Sequence, residues 1–160
     1  MEKAFEVQAI SPLDGRYHSK IKELNNYSSE FALIRFRTEV EVEWLIALCQ
    51  NPKIDCAKEL TDQQITDLRK IYQTFGPEQA LKVKEIESVT NHDVKAVEYF
   101  INEQLDKLGL SDLTPMVHFA CTSEDINNLS YGLMIKRLMK DLVVPMCEKV
   151  ISDINYLKSI

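Results

Sequence analysis

Residues 28–50 read SSEFALIRFRTEVEVEWLIALCQ, and this stretch decides the fold class. Its apolar residues recur three and four positions apart, which places them on one face of an α-helix. The residues that set this period are Leu33, Phe36, Val40, Trp44 and Leu48. Ser28 or Ser29 is suited to cap the helix, because a hydroxyl oxygen accepts from free backbone N–H groups at a helix start. We predict one long helix that ends near Asn51 and Pro52.

Two shorter helices are predicted next. Thr61-x-x-Gln64 is a possible capping box, and Gly76-Pro77 ends the helix that it begins. The apolar face of that helix consists of Ile65, Leu68, Ile71 and Phe75. Pro77 suits the first turn of another helix, through Glu87, because its missing N–H is not needed there.

A further helix begins at Asn91 or Asp93, and Gly109 closes it from the position after its C-terminus. Its predicted face consists of Val94, Val97, Ile101, Leu105 and Leu108. Residues 111–115 are interpreted as a polar linker, and residues 117–120 as an extended or buried loop. Residues before the first long helix form an irregular arm with a turn at 11–17, where Pro, Asp and Gly fall within four positions.

The last helix is predicted to run from Thr122-x-x-Asp125, a second capping arrangement, to Ile160. Pro145 should kink it, because proline lacks the N–H of the helical ladder. At ~1.5 Å per residue, such a helix spans about 50 Å. That is too long for a lone globule of 160 residues, so we expect a truncated helical bundle. The alternative is a short protein whose last helix packs against a partner or dimerises.

The resulting fold prediction is all-α. It consists of an N-terminal helical domain, residues 1–112, followed by the start of a central bundle domain, residues 113–160. Little β-structure is expected, since β-branched residues seldom alternate with polar ones.

Composition excludes several classes of function. With 19 basic and 25 acidic residues, the formal net charge is −6, whereas a nucleic-acid module usually carries a basic surface. The four cysteines form no C-x-x-C pair and there are three histidines, so we predict no metal site. No cofactor is predicted either. The cysteines are Cys49, Cys56, Cys121 and Cys147. Cys49 and Cys147, in apolar helical contexts, are predicted to be buried free thiols. No apolar run is long enough to span a membrane or resembles a secretion signal, so we expect a cytoplasmic protein.

Three segments are rich in polar groups. Arg16-Tyr17 follows a tight turn, where a guanidinium can clamp a phosphate. Residues 90–93 and 118–128 coincide with predicted helix starts, where free N–H groups suit carboxylates and phosphates. On spacing alone, a surface salt bridge explains the first segment and simple capping explains the other two. The common motifs for dinucleotide binding, P-loop chemistry, zinc proteolysis and ester hydrolysis do not occur in the sequence.

Taken together, these segments resemble the adenylosuccinate lyases of the fumarase/aspartase superfamily. The matching text is SPLDGRY at 11–17, FRTEVEVEWL at 36–45, TNHDVKAVEYF at 90–100 and HFACTSEDINNLS at 118–130. The resemblance implies β-elimination of fumarate from adenylosuccinate, giving AMP, and from the succinylated carboxamide ribotide earlier in purine biosynthesis. Such chemistry needs a base beside a carboxylate, an acid for the departing nitrogen and donors for the dianionic intermediate.

The resemblance also implies roles for individual residues. Arg16 and Tyr17 match a nucleotide-binding pair, and Thr122 and Ser123 match a loop that holds the succinyl carboxylates. A substrate-binding triplet is matched by Asn91, His92 and Asp93. His92 would orient the substrate or the acid–base groups, and His118 matches a histidine near the substrate phosphate, so both are possible auxiliary residues.

Two of the family's segments have no counterpart in this sequence. These are the T-H-G-Q-P-like segment with the acid histidine and the flexible loop with the base serine, both expected downstream of Ile160. We therefore expect no turnover from these 160 residues alone. The resemblance also implies a homotetramer in which each active site combines residues of three subunits. Two alternatives stay open. One is another lyase of the superfamily, and the other is an inactive helical module that binds a partner through its last helix.

Overall fold

The computed structural model describes residues 7–54 and 59–160, and within those ranges the regular structure is helical, with no strand. Six helices of ten or more residues account for most of it. They are α1 (Glu30–Cys49), α2 (Asp62–Gln73), α3 (Pro77–Thr90), α4 (Asp93–Lys107), α5 (Ser123–Leu138) and α6 (Val144–Ser159). The all-α prediction is confirmed.

Side-chain caps fix most of the helix starts. The Ser29 hydroxyl accepts from the N–H of Ala32 at 3.2 Å, so Ser29 rather than Ser28 caps α1. Thr61 and Gln64 form the predicted capping box of α2. Each cap satisfies backbone N–H groups that have no partner inside the helix.

The α3–α4 junction differs from the prediction in detail. The third helix continues past Glu87 to Thr90, and Asn91 ends it in the left-handed conformation, with φ of 52°. His92, which the prediction did not consider as a cap, is the N-cap of α4. Asparagine tolerates positive φ better than most residues, so two residues, Asn91 and His92, suffice to separate the two helices.

The end of α4 is a Schellman turn around Gly109, as predicted. Gly109 has φ of 69°, and the N–H of Leu110 donates to the carbonyl of Leu105 at 2.9 Å. Leu108 was assigned to the apolar face but is 38% exposed, because it is the C-cap residue. The predicted polar linker is wrong as well: Ser111–Met116 is a 3₁₀-helix that buries Leu113 and Met116.

The first helix is the centre of the fold, and α2, α3, α4 and α5 pack against it. It buries residues on all sides, including Arg37, Glu39 and Glu41, and not on one face alone. The prediction of a single apolar face is therefore incomplete, because polar residues between the apolar ones are also enclosed. Three charged side chains thus lie in the interior, where each needs a partner.

The long last helix is interrupted, as Pro145 predicted. A π-helical turn, Met139–Val143, separates α5 from α6, which has Pro145 in its first turn. No residue of α6 is buried. Cys147 is therefore exposed, and the prediction that it is a buried thiol is wrong, whereas Cys49 is buried as predicted. Cys56 lies outside the described residues.

Before α1, the described arm consists of turns and short helical pieces. The 3₁₀-helices His18–Lys20 and Lys22–Leu24 lead into a four-residue α-helix, Asn25–Ser28. This arm contacts α1 and α5 through its last piece.

Candidate functional site

The starts of α4 and α5 are joined through one buried arginine. Arg37, on α1, has a side chain that is 4% exposed. Its Nη2 lies 2.6 Å from Oδ2 of Asp93, and its Nε donates to Oδ1 of Asn127 at 2.9 Å. Two segments that are 34 residues apart in sequence, Asp93 and Asn127, are thereby held against the same side chain. A guanidinium suits this task because its donors are fixed in one plane.

The start of α4 presents two polar side chains, those of His92 and Asp93. His92 accepts the N–H of Lys95 on Nδ1 at 3.2 Å, and its side chain is 52% exposed. A neutral ring that accepts on Nδ1 carries its proton on Nε2, so His92 offers an N–H donor. Burial opposes the charge of Asp93, but the N–H of Val94 and the Arg37 guanidinium outweigh it and lower the pKa of that carboxyl. Asp93 is thus held as a carboxylate.

The start of α5 is a capping box, as predicted. Asp125 Oδ2 accepts from the N–H of Thr122 at 2.7 Å and from its hydroxyl at 2.8 Å. These bonds, the backbone one first, lower the pKa of Asp125. The Thr122 hydroxyl is thus occupied by the cap, while the half-buried Ser123 is the first residue of the helix itself. The free N–H groups of this turn are an anion-binding geometry.

The loop that leads into α5 holds His118 against the interior. His118 and Ala120 have φ of 61° and 59°, so the loop is not extended as one prediction allowed. The indole N–H of Trp44 donates to the carbonyl of Phe119 at 2.8 Å and fixes the loop to α1. His118 Nδ1 lies 2.6 Å from Oε1 of the buried Glu41.

A second carboxylate lies close to this pair. Glu98 Oε1 is 4.0 Å from His118 Nδ1, and Lys95 pairs with Glu98 at 2.6 Å. Burial raises the pKa of Glu41, against the opposing effect of the hydrogen bond from His118. The loop histidine is therefore enclosed by acidic residues of α1 and α4.

Arg16 and Tyr17 lie apart from these groups. Both are exposed, and the Arg16 guanidinium lies 4.7 Å from the centre of the Tyr17 ring. Within the described part of the chain, no hydrogen bond or ion pair joins them to the starts of α4 or α5. The structure brings Asp93 and the start of α5 together through Arg37, but it does not place Arg16 and Tyr17 beside them.

A groove of about 650 Å³ lies beside the α5 start, between α1 and α5. Its lining is mostly apolar and includes Trp44, Cys121, Ile126 and Leu129, together with three acidic residues, Glu39, Glu43 and Asp125. None of Asn91, His92, Ser123 or Arg16 lines it. An apolar groove suits a hydrocarbon surface better than a phosphate, and Asp125 is the residue of the α5 cap that also lines it.

Sequence reasoning missed Arg37, Glu41 and Glu98 as parts of this site. The sequence did contain a signal for them. Each is a charged residue three or four positions from the apolar residues of its helix, α1 or α4, and so lies on the face that packs inward. Among residues 7–54 and 59–160, no group of three His, Cys, Asp or Glu side chains is arranged to hold a metal ion. Nor does any helix in those ranges have the length and apolar character needed to cross a membrane.

Comparison with known proteins gives a consistent result. A family model described as "Lyase" matches residues 15–158. An adenylosuccinate lyase of Buchnera aphidicola from Schizaphis graminum is 45% identical over 152 residues, which is 94% of this chain and 33% of that protein. The adenylosuccinate lyase of Haemophilus influenzae is 43% identical over 150 residues (93% and 33%), and that of Escherichia coli K12 is 42% identical over 148 residues (92% and 32%). The chain thus spans about a third of the length of these relatives.

Proposed function

The chain belongs to the lyase family, as the resemblance implied, and we propose that its protein is a C–N lyase that eliminates fumarate from adenylosuccinate. The proposal extends to the succinylated carboxamide ribotide, the second substrate that the resemblance implies. It is supported by relatives at 42–45% identity that are named adenylosuccinate lyase. The structural observation that carries it is Arg37, which holds the two polar helix starts against one side chain.

In this proposal, the described residues bind the substrate and do not transfer its protons. The substrate carries a phosphate and carboxylates, which suit the free N–H groups at the start of α5. Ser123 is the hydroxyl that contacts a carboxylate, because the Thr122 hydroxyl donates to Asp125. His92 donates to the substrate from Nε2. Asn91 ends α3 and Asp93 pairs with Arg37, so these two residues fix the position of His92 between α3 and α4.

Arg16 and Tyr17 bind the nucleotide in this proposal. Their ring and guanidinium are already stacked and exposed, so they are available to a ligand that covers them. His118 faces the substrate phosphate as an auxiliary residue. No cofactor is required for this β-elimination, since the acid and base are side chains.

We propose that these 160 residues alone release no fumarate. The acid histidine and the base serine of the family belong to segments that this sequence does not contain. Removing both proton-transfer groups from an elimination costs many orders of magnitude in rate. Substrate binding and turnover are then separable properties.

The proposed assembly is a cytoplasmic homotetramer, following the resemblance. In its support, α6 exposes an apolar face: Val144, Val150, Ile154 and Leu157 are each more than 40% exposed. Leu138, the fifth residue predicted for this face, is half-buried at the end of α5. An exposed apolar face of this kind is typical of a surface that binds another protein.

The same face favours the second candidate function, an inactive helical module that binds a partner. The two proposals differ in their response to nucleotide, because a partner-binding module needs none of the polar groups at the helix starts. Another lyase of the superfamily is the weaker alternative, since the three relatives compared above are all named adenylosuccinate lyase.

An antibody raised against this chain makes the decisive test. The native protein is isolated with it, its mass is compared with 18.5 kDa, and fumarate release from adenylosuccinate is measured beside the purified 160-residue chain. We expect a native species several times heavier that turns over, and a chain that does not. A native protein without turnover contradicts the lyase proposal. Turnover by the 160-residue chain contradicts the proposal that these residues bind the substrate but do not transfer its protons.

A further inference from the structure

Glu41 is a buried carboxylate whose nearest partner is a histidine of the candidate site. It lies in the middle of α1, its residue is 0% exposed, and its Oε1 lies 2.6 Å from His118 Nδ1. Its Oε2 has no hydrogen-bond partner among the described residues and no contact with solvent. An isolated carboxylate in such a place is costly, so the bond to His118 is the main compensation for its burial.

The surrounding charges single out Glu41 as the partner of His118. Glu98 is also close, with Oε1 at 4.0 Å from Nδ1, but that distance is too long for a hydrogen bond. Glu98 is paired with Lys95 instead, at 2.6 Å. Of the two carboxylates, Glu41 is thus the one that depends on the imidazole.

The backbone holds the histidine in place for this contact. The positive φ of His118, 61°, is unfavourable for a residue with a Cβ. The bond from the Trp44 indole to the Phe119 carbonyl, 2.8 Å long, helps to stabilise the loop in this form. A loop that is pinned in an unfavourable conformation beside a buried carboxylate is typical of a positioned functional side chain.

Building on the proposed function, we propose that Glu41 is the positioning residue of His118. Its carboxylate oxygen accepts a hydrogen bond from the N–H of Nδ1. Nε2 of the neutral ring then carries a lone pair, so that nitrogen donates to the substrate phosphate only when the ring is an imidazolium. His92 is held in the opposite form, since its Nδ1 accepts from the Lys95 N–H. The two histidines thus carry their protons on different nitrogens.

Nuclear magnetic resonance measures this directly. Long-range ¹H–¹⁵N correlation on the ¹⁵N-histidine-labelled chain separates the two ring nitrogens, and His18→Gln, His92→Gln and His118→Gln assign the three histidines. At a pH where the rings are neutral, we expect protonated Nδ1 in His118 and protonated Nε2 in His92. A His118 ring that carries its proton on Nε2 overturns the proposal, and this wild-type result needs no variant at Glu41.

Two variants with the same loss of charge sharpen the test. Glu41→Gln removes the obligatory acceptor, since an amide can donate or accept, and should turn the His118 signals into those of a tautomer mixture. Glu98→Gln, 4.0 Å from the ring, should leave them unchanged. Equal effects of the two variants overturn the specific role of Glu41.

Titration with inorganic phosphate separates this inference from the proposed function. Saturable movement of the His118 Nε2 signal supports contact with phosphate. If the tautomers are as expected but phosphate moves nothing, the role of Glu41 stands, whereas the contact of His118 with a phosphate is overturned.

Discussion

Replacing Arg37 by methionine tests whether this buried guanidinium holds the two helix starts together. Methionine keeps most of the aliphatic volume but makes neither of the bonds to Asp93 and Asn127. A hydrogen bond that involves a charged group contributes about 1.5–3 kcal/mol. The lower value applies here, because the Asp93 side chain is 46% exposed and regains water when it loses its partner. Two such bonds give an expected loss of about 3 kcal/mol in the free energy of unfolding.

Urea unfolding followed by circular dichroism measures this loss, and Arg69→Met is the matched control. Arg69 also makes two bonds to one carboxylate, at 2.7 and 2.9 Å to Glu43, but its side chain is 43% exposed. Exposed ion pairs contribute little, so the control should unfold at nearly the wild-type urea concentration. Equal urea midpoints for the two variants would refute the reasoning that the bonds of Arg37 stabilise the fold because they are buried.

Two further predictions concern titration and thiol chemistry. Burial, and then the hydrogen bond to Glu43, raises the pKa of Tyr72 to about 12, so its phenol should be among the last to ionise in an absorbance titration. Because the pKa of Tyr72 in the folded protein is above its ordinary value near 10, the protonated phenol stabilises the fold below about pH 10, and this stabilisation is lost as the pH rises towards 12. The variant Tyr72→Phe should lose less stability over this pH range. In a Cys56→Ser background, a thiol reagent should label exposed Cys147 quickly and buried Cys49 only on unfolding, and protection of Cys147 would show that α6 is covered.

Helix positions in this protein were predictable because the period and the caps act locally. The Thr61 and Thr122 capping boxes and the Gly109 turn lie where the sequence indicates them. Errors arose where tertiary contacts decide. Residues 111–115 look polar, but the 3₁₀-helix Ser111–Met116 buries two side chains against α4. Cys147 has apolar neighbours in the sequence but lies on an uncovered helix.

The candidate site was predictable in its helix starts but not in its connections. Spacing along the chain identified Asp93 and Ser123 as residues of helix starts. It gave no sign that Arg37 bonds to Asp93 and to Asn127, because Arg37 and Asn127 are 90 residues apart in the sequence. The dependence of His118 on Glu41, across 77 residues, was hidden for the same reason.

The most direct test of the central claim is a nucleotide titration followed at backbone amides. The claim is that the helix starts joined through Arg37 bind the anionic groups of the substrate. AMP should cause saturable amide shifts at Arg16, His92 and Ser123, whereas adenosine, which lacks the phosphate, should cause much weaker ones. Shifts confined to other parts of the chain, or equal responses to AMP and adenosine, would contradict it.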